Sequence, residues 1–203
     1  NESMNPLLNR TSEILADLIA FPTVSVESNL AMIDYIRTLL DRAGIASTPV
    51  FNEDHTKANL FASLGPNDVA GILLSGHSDV VPVEQQAWST DPFRLVKRGG
   101  KFFGRGTADM KGFIACVLAE AESLDQHSLK RPFQLVFSFD EEIGCVGVRR
   151  LIDDLAQENI KPALAIIGEP TMMRVVGAHK AGAVIETRAK GREGHSSDPR
   201  RGA

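Results

Sequence analysis

Two cysteines in 203 residues, Cys116 and Cys145, stand without C-x-x-C spacing. That leaves no basis for a disulfide framework or a thiolate metal site, and it fits a reducing compartment. No run of 18 apolar residues occurs, and the opening segment NESMNPLLNR has no apolar stretch of the kind a secretory leader needs. Neither a membrane span nor a signal peptide is therefore expected, and the cytoplasm is the expected location. Basic blocks are also missing: 22 Lys and Arg face 26 Asp and Glu, for a formal net charge of -4. No nucleic-acid partner is expected from that balance, and a charged partner would be small. No repeat or low-complexity linker interrupts the chain. What remains is a 43% apolar composition, enough for a buried core, at a length that suits one large domain or two small ones.

Apolar spacing predicts a helix over 7–21, closed by Pro22, and a second over 29–43, with Gly44 at its C-terminal cap. Short β-type runs follow at 45–51, 58–64 and 71–75. A loop holding Trp88, Asp91, Pro92 and Phe93 then leads to a hairpin turn at Arg98, Gly99 and Gly100. Beyond it the pattern reads as a helix over 110–124, a strand over 133–139, a helix over 146–157 and a strand over 163–167. Alternating strands and helices predict an α/β fold with a mostly parallel central sheet and helices on both faces. At Thr171 the rhythm changes. Two strands, 174–179 and 182–190, are expected with no helix between them, as if a second layer or domain began there.

The stretch GHSDVVP, Gly76 to Pro82, places His77 and Asp79 on one side of an extended chain. Taken alone, it is better explained by an ordinary strand ending in a polar turn, since solvated turns with such residues are common. Asp109, before the helix at Met110, reads as a simple N-cap acid, and Glu141 and Glu142 as the solvated first turn of a helix. Together with Glu169 after the strand 163–167, however, these residues all fall at strand or helix boundaries. Open α/β sheets bind ligands there, beyond the carboxyl ends of their strands. Acids clustered at one rim repel each other and are costly to desolvate unless a cation balances them. Nitrogen and oxygen donors without sulfur suit zinc, cobalt or manganese. There are too many acids for one four-coordinate ion with an open position, so two ions sharing a bridging carboxylate is the simplest arrangement. Of the neighbours Glu141 and Glu142, one can hold metal while the other moves a proton during attack on a carbonyl.

GHSDVVP, WSTDPF, GRGTADMKG, the DEE at 140–142, IIGEPT, AHKAG and GHSSDPRRG together resemble the dinuclear zinc hydrolases of metallopeptidase family 20, which include aminoacylases and glutamate carboxypeptidases. The resemblance runs from about Ile14 through nearly the whole chain. It implies a zinc-exopeptidase-like catalytic domain over residues 1–173, incomplete, and the start of a smaller α+β lid or dimerisation domain over 174–203. It implies two Zn2+ per subunit, with Co2+ as a substitute. His77 and Glu169 would bind the first ion, Glu142 the second, and Asp109 both, across a cis Asp109–Met110 peptide. Glu141 would be the general acid/base, Asp79 would orient His77, and His195 would reach across a homodimer to the oxyanion. Trp88 and Phe93 would pack near the site, and His55, His127 and His179 would be structural or exposed. The implied substrate is a small N-acylated amino acid. Removal of the acetyl group from N2-acetyl-L-ornithine, in arginine biosynthesis, is favoured over desuccinylation of succinyl-diaminopimelate, aminoacylase or carboxypeptidase activity. Family members continue for about another domain's length, ~150 residues, which brings a last histidine to the second zinc. The chain is accordingly expected to be truncated, with a catalytically incomplete metal-binding fragment as the reading from another class.

Overall fold

Helix α1 (Pro6–Ala20) starts where the Asn5 side chain accepts the Leu7 N–H and Pro6 takes the first helical turn. Helix α2 (Leu30–Arg42) ends at Gly44, whose φ of +70° is a conformation glycine adopts without strain. The computed structural model describes residues 5–158, 160–178, 186–188 and 190–191. After α2 come the strands β1 (Ser47–Phe51), β2 (Ala58–Leu64) and β3 (Ile72–His77). The hairpin β4 (Val96–Arg98) and β5 (Lys101–Phe103) turns at Gly99 and Gly100, both at positive φ. Helix α3 (Lys111–Ser123), strand β6 (Phe133–Ser138), helix α4 (Val148–Gln157) and strand β7 (Leu164–Ile167) complete the series.

The five-stranded sheet runs β1-β2-β6-β3-β7. The expected α/β class holds, and the pairing is mixed: β1 with β2 and β2 with β6 are antiparallel, while β6 with β3 and β3 with β7 are parallel. Connection length accounts for the difference. Residues 52–57 between β1 and β2 and 65–71 between β2 and β3 are too short for a crossover and reverse the chain, so β2 runs against both β1 and β6, whereas helix-bearing connections lead from β3 to β6 and from β6 to β7. Register matters for the site. His77 at the end of β3 lies beside Ser138 at the end of β6, and Ser75 beside Ile167 at the end of β7. Three parallel strands therefore deliver their following residues to one rim.

Ile14, Leu18 and Ile19 of α1, Ile33, Ile36 and Leu40 of α2, and Ile114 and Leu118 of α3 pack with Leu60, Leu135 and Phe137 of the sheet into one apolar cluster. Strand alternation turns Gln134 and Val136, also buried, to the opposite face. At the described edge of the sheet Leu164, Ile166 and Ile167 of β7 are exposed. An apolar cavity of about 320 Å³ opens beside α3, walled by Leu64, Leu74, Val117, Leu124, Phe133 and Leu135.

The chain divides into two units, Asn1–Pro170 and Thr171–Ala203. In the second, a turn is closed by the Arg174 N–H on Thr171 O and by Thr171 Oγ1 on Arg174 O at 2.7 Å. The two strands expected over 174–179 and 182–190 fall largely outside the described residues; their described parts, 174–178, 186–188 and 190, form no strand. No helix among the described residues is long and apolar enough to cross a membrane.

Phe137 is fully buried in the middle strand of the sheet, directly beneath the rim. Its truncation in Phe137→Ala is expected to lower stability by about 3–5 kcal/mol, read as a drop in the urea unfolding midpoint. An unchanged midpoint would show that the core does not centre on this strand.

Candidate metal centre

His77 is the last residue of β3, and its ring is held from below. Nδ1 lies 2.9 Å from the Asp79 carbonyl oxygen and 3.5 Å from its Oδ1, so an Nδ1–H donated to Asp79 leaves Nε2 facing the rim. Around Nε2 stand Asp109 Oδ1 at 3.0 Å, Glu141 Oε2 at 3.9 Å and Glu169 Oε1 at 3.9 Å. Donor atoms of His77, Glu141 and Glu169 lie within 4.8 Å of one another, and so do those of His77, Asp109 and Glu142. The strand register thus brings His77 together with Glu141, Glu142 and Glu169, and the segment before α3 adds Asp109, so the imidazole meets all four rim acids singled out from the sequence.

Asp109 is not an N-cap. Met110 occupies the capping position of α3 without a side-chain cap bond, and the Asp109 carboxylate turns to His77. The peptide between Asp109 and Met110 is cis, as the resemblance implies. Asp79 joins the neighbouring segments: it accepts the Ser25 hydroxyl at 2.7 Å and the backbone N–H groups of Glu141 at 3.0 Å and Glu142 at 3.3 Å. Beneath it, a buried polar network satisfies the strand ends. Thr23 Oγ1 donates to Ser78 O, Ser78 Oγ to Ser138 O, and Asn29 Nδ2 to Ser78 Oγ and Ala58 O.

Electrostatics at the rim follow from this crowding. Burial raises the Glu142 carboxyl above its ordinary pKa, and the negative charge of Asp109 adds to the shift. Burial likewise raises Glu169, with His77 opposing and Asp109 and Glu141 reinforcing. Burial would lower the His77 imidazolium, but Asp79 and Asp109 outweigh it and push the value up to about 9. Asp79 is held below the usual carboxylate range: burial opposes the shift, and His77, Ser25 and the Glu141 N–H overcome it. Excess negative charge beside one imidazole, with oxygen and nitrogen donors and, of the two free thiols, Cys145 alone against a rim acid, fits a divalent cation of the zinc, cobalt or manganese kind.

Several supporting residues were not marked out by the sequence. Asn29 and Lys57 carry no local pattern beyond standing at the starts of elements, Ser25 lies in a turn between α1 and α2, and Asp140 was visible only as the first letter of DEE. Cys145 donates its thiol to Glu141 Oε1 at 3.3 Å. His55 and His127 are exposed, in line with expectation, whereas His179 and His195 lie outside the described residues. Trp88 packs under the Arg105 guanidinium, 5.1 Å from ring centroid to Cζ. The apolar cavity beside α3 shares no residue with the rim.

An α/β sheet that gathers one imidazole and three carboxylates at the ends of its parallel strands, with Asp109 added from the segment before α3, is a framework suited to holding a divalent cation. Residues 73–196 match the peptidase family M20/M25/M40, and the chain belongs to that family. It is 38% identical over 197 residues to the acetylornithine deacetylase of Pasteurella multocida, covering 94% of this chain and 50% of that protein. With the acetylornithine deacetylase of Proteus mirabilis it shares 39% identity over 207 residues, covering 98% of this chain and 52% of the other. The chain thus spans about half the length of the curated relatives it matches. Among solved structures, an M20 family metallo-carboxypeptidase from Sulfolobus solfataricus superposes with a TM-score of 0.69 at 23% identity, over 81% of this chain and 37% of the other. Human carnosine dipeptidase 1 gives 0.64 at 22% identity, over 79% and 39%. These two likenesses are of fold.

With a pKa raised from 6.5 to about 9, His77 is protonated at neutral pH in the metal-free protein. Its attraction to Asp79 stabilises that form fully below pH 6.5, and the contribution is lost as pH rises through about 9. A metal bound at Nε2 must displace this proton. Zn2+ or Co2+ titration at pH 7.5 is expected to release close to one proton per His77, with affinity rising about tenfold per pH unit up to about 9. Calorimetry in two buffers of different ionisation heat measures this, and identical heats in both would contradict it.

Proposed function

We propose that the protein hydrolyses the amide of a small N-acylated amino acid, and that its substrate is N2-acetyl-L-ornithine, released as acetate and L-ornithine in cytoplasmic arginine biosynthesis. The observation that carries the hydrolytic reading is the position of Glu141. Its carboxylate reaches the rim beside His77 Nε2, while its own N–H is tied back to Asp79. The substrate rests on the 38% and 39% identity to acetylornithine deacetylases.

In this reading His77, Asp109, Glu142 and Glu169 would hold two Zn2+ per subunit, with Co2+ as a working substitute, and Asp109 would serve both. Bound there, a divalent ion supplies Lewis-acid polarisation of the acyl oxygen and makes water acidic enough to attack near neutral pH. Glu141 accepts the proton of the attacking water on a carboxylate oxygen and returns it to the leaving amine nitrogen. Asp79 keeps Nε2 of His77 aimed at the rim by holding Nδ1. His195 of the partner subunit, in a homodimer, donates to the developing oxyanion. Residues 1–173 belong to the catalytic domain and 174–203 open the lid and dimerisation domain.

The test is acetate release from N2-acetyl-L-ornithine by the full-length protein, run beside succinate release from N-succinyl-diaminopimelate. Faster succinate release moves the substrate assignment to the desuccinylase. In either assay Glu141→Gln is expected to lower kcat by roughly 10²–10⁴-fold while the metal content stays at the parent level. Full activity in that variant removes Glu141 from the proton transfer.

A further inference from the structure

Two buried charges stand behind the rim and supply no donor atom to either candidate metal group. Lys57, the residue before β2, and Asp140, two residues beyond the end of β6, form an ion pair. Lys57 Nζ is 2.7 Å from both carboxylate oxygens, and the side chains are 8% and 11% exposed. Taking two charges out of water costs about as much as their attraction returns, so such a pair contributes little to stability, yet its geometry is closely defined. What it defines is the conformation of Asp140 and hence the direction of the next two residues.

Asp140 has a φ of +53°, a left-handed conformation that a non-glycine residue keeps only when its surroundings impose it. Three contacts impose it here: Lys57 Nζ on each oxygen, and the Val26 N–H on Oδ1 at 3.2 Å. Val26 has a φ of +76°, an outlier for a β-branched residue, so both ends of that last contact are strained. From Asp140 the chain turns at once into Glu141 and Glu142, whose N–H groups both point to Asp79. Glu141 O then accepts from Gly144 N and Cys145 N, each at 2.9 Å, and Asp140 O accepts from Val146 N at 3.2 Å. The turn bearing the two glutamates is thus held between two buried carboxylates. Asp79 is engaged by the hydroxyl of Ser25, and Asp140 by Lys57 and by the N–H of the very next residue, Val26.

We propose that Lys57 and Asp140 are positioning residues: their ion pair fixes the turn from which Glu141 and Glu142 project to the metal rim. The inference rests on the metal-centred reading for its consequence in catalysis, and on the backbone geometry alone for the placement of the turn. Loss of the pair frees Asp140 to leave its left-handed conformation and swings both glutamates off the rim without removing either one.

The test is the full-length protein carrying Lys57→Met with Asp140→Leu, which removes both charges together and leaves none buried alone. We expect a melting temperature within about 5 °C of the parent. Co2+ affinity should fall about 10–100-fold with an altered cobalt absorption spectrum, and kcat should fall at similar KM. In the metal-free protein the amides of Glu141 and Glu142 should exchange with solvent at least about tenfold faster. A folded double variant with the parent's cobalt affinity, spectrum and amide exchange overturns the proposal. Should the double variant not fold, Asp140→Asn, isosteric and uncharged, decides in its place: losses in the same direction support the pair's role, and parental behaviour overturns it. Lys57→Arg, which keeps the charge, should restore most of the cobalt affinity. A parent protein that binds no divalent metal defeats the functional reading, while amide exchange still decides on the positioning pair.

Discussion

The arrangement depends on one electrostatic constraint: Asp109, Glu141, Glu142 and Glu169 are gathered around His77 against their mutual repulsion and against the cost of partial desolvation. A chain does not bring four acids together by local preference, so long-range pairing has to do it. Parallel pairing of β3 with β6 and β7 aligns three strand ends, and α3 begins against the same edge. Behind them the Thr23, Asn29, Ser78 and Ser138 network saturates the polar groups where the strands stop, so the ends are fixed without exposing the backbone to unmet hydrogen bonds.

Positive charge is placed one layer further back. Lys111, at the first turn of α3, is fully buried, and its Nζ donates to Leu18 O at 3.0 Å and Phe21 O at 2.7 Å. These carbonyls close α1, where a cation meets the negative end of the helix. Burial pulls the Lys111 ammonium down to about 7, with the negative charge of Asp79 opposing the shift. The turn carrying Asp109 is thereby pinned to the end of α1. Lys57 does the corresponding work beneath the Glu141–Glu142 turn in the reading advanced above. In both cases the lysine contacts backbone or a supporting acid and stays off the rim, so the imbalance of charge at the rim persists for a metal to neutralise.

Much of this was legible in the sequence, for identifiable reasons. Helices α1, α2 and α3 carry apolar residues at helical spacing, and of those that spacing marks Leu15, Leu18, Ile33 and Ile36 pack in the core while Leu8, near the start of α1, stays exposed. The rim acids were visible because each follows a strand or precedes a helix, a placement local pattern can detect. Asp109 shows the limit. By sequence it is an ordinary cap, and only its contact with a histidine 32 positions earlier reveals another role. The antiparallel β2–β6 pairing, the Lys57–Asp140 pair and the Asn29 contacts escape a linear reading for the same reason. They join residues far apart in the chain whose types are individually unremarkable, and no periodicity records such a meeting.

Burial across the site is graded, and the gradient bears on the repulsion among the acids. The His77 side chain is 1% exposed and that of Asp79 4%, whereas Asp109, Glu141 and Glu169 are 48%, 35% and 38% exposed. The orienting pair at the base is therefore buried, and the acids at the mouth are open enough to solvent for their repulsion to be screened. A protonated His77 adds a positive charge at the centre while no metal is bound. Screening at the mouth and the raised pKa of His77 at the base both ease the repulsion among the acids. In the proposed reading, a metal held by His77 would take the place of that proton.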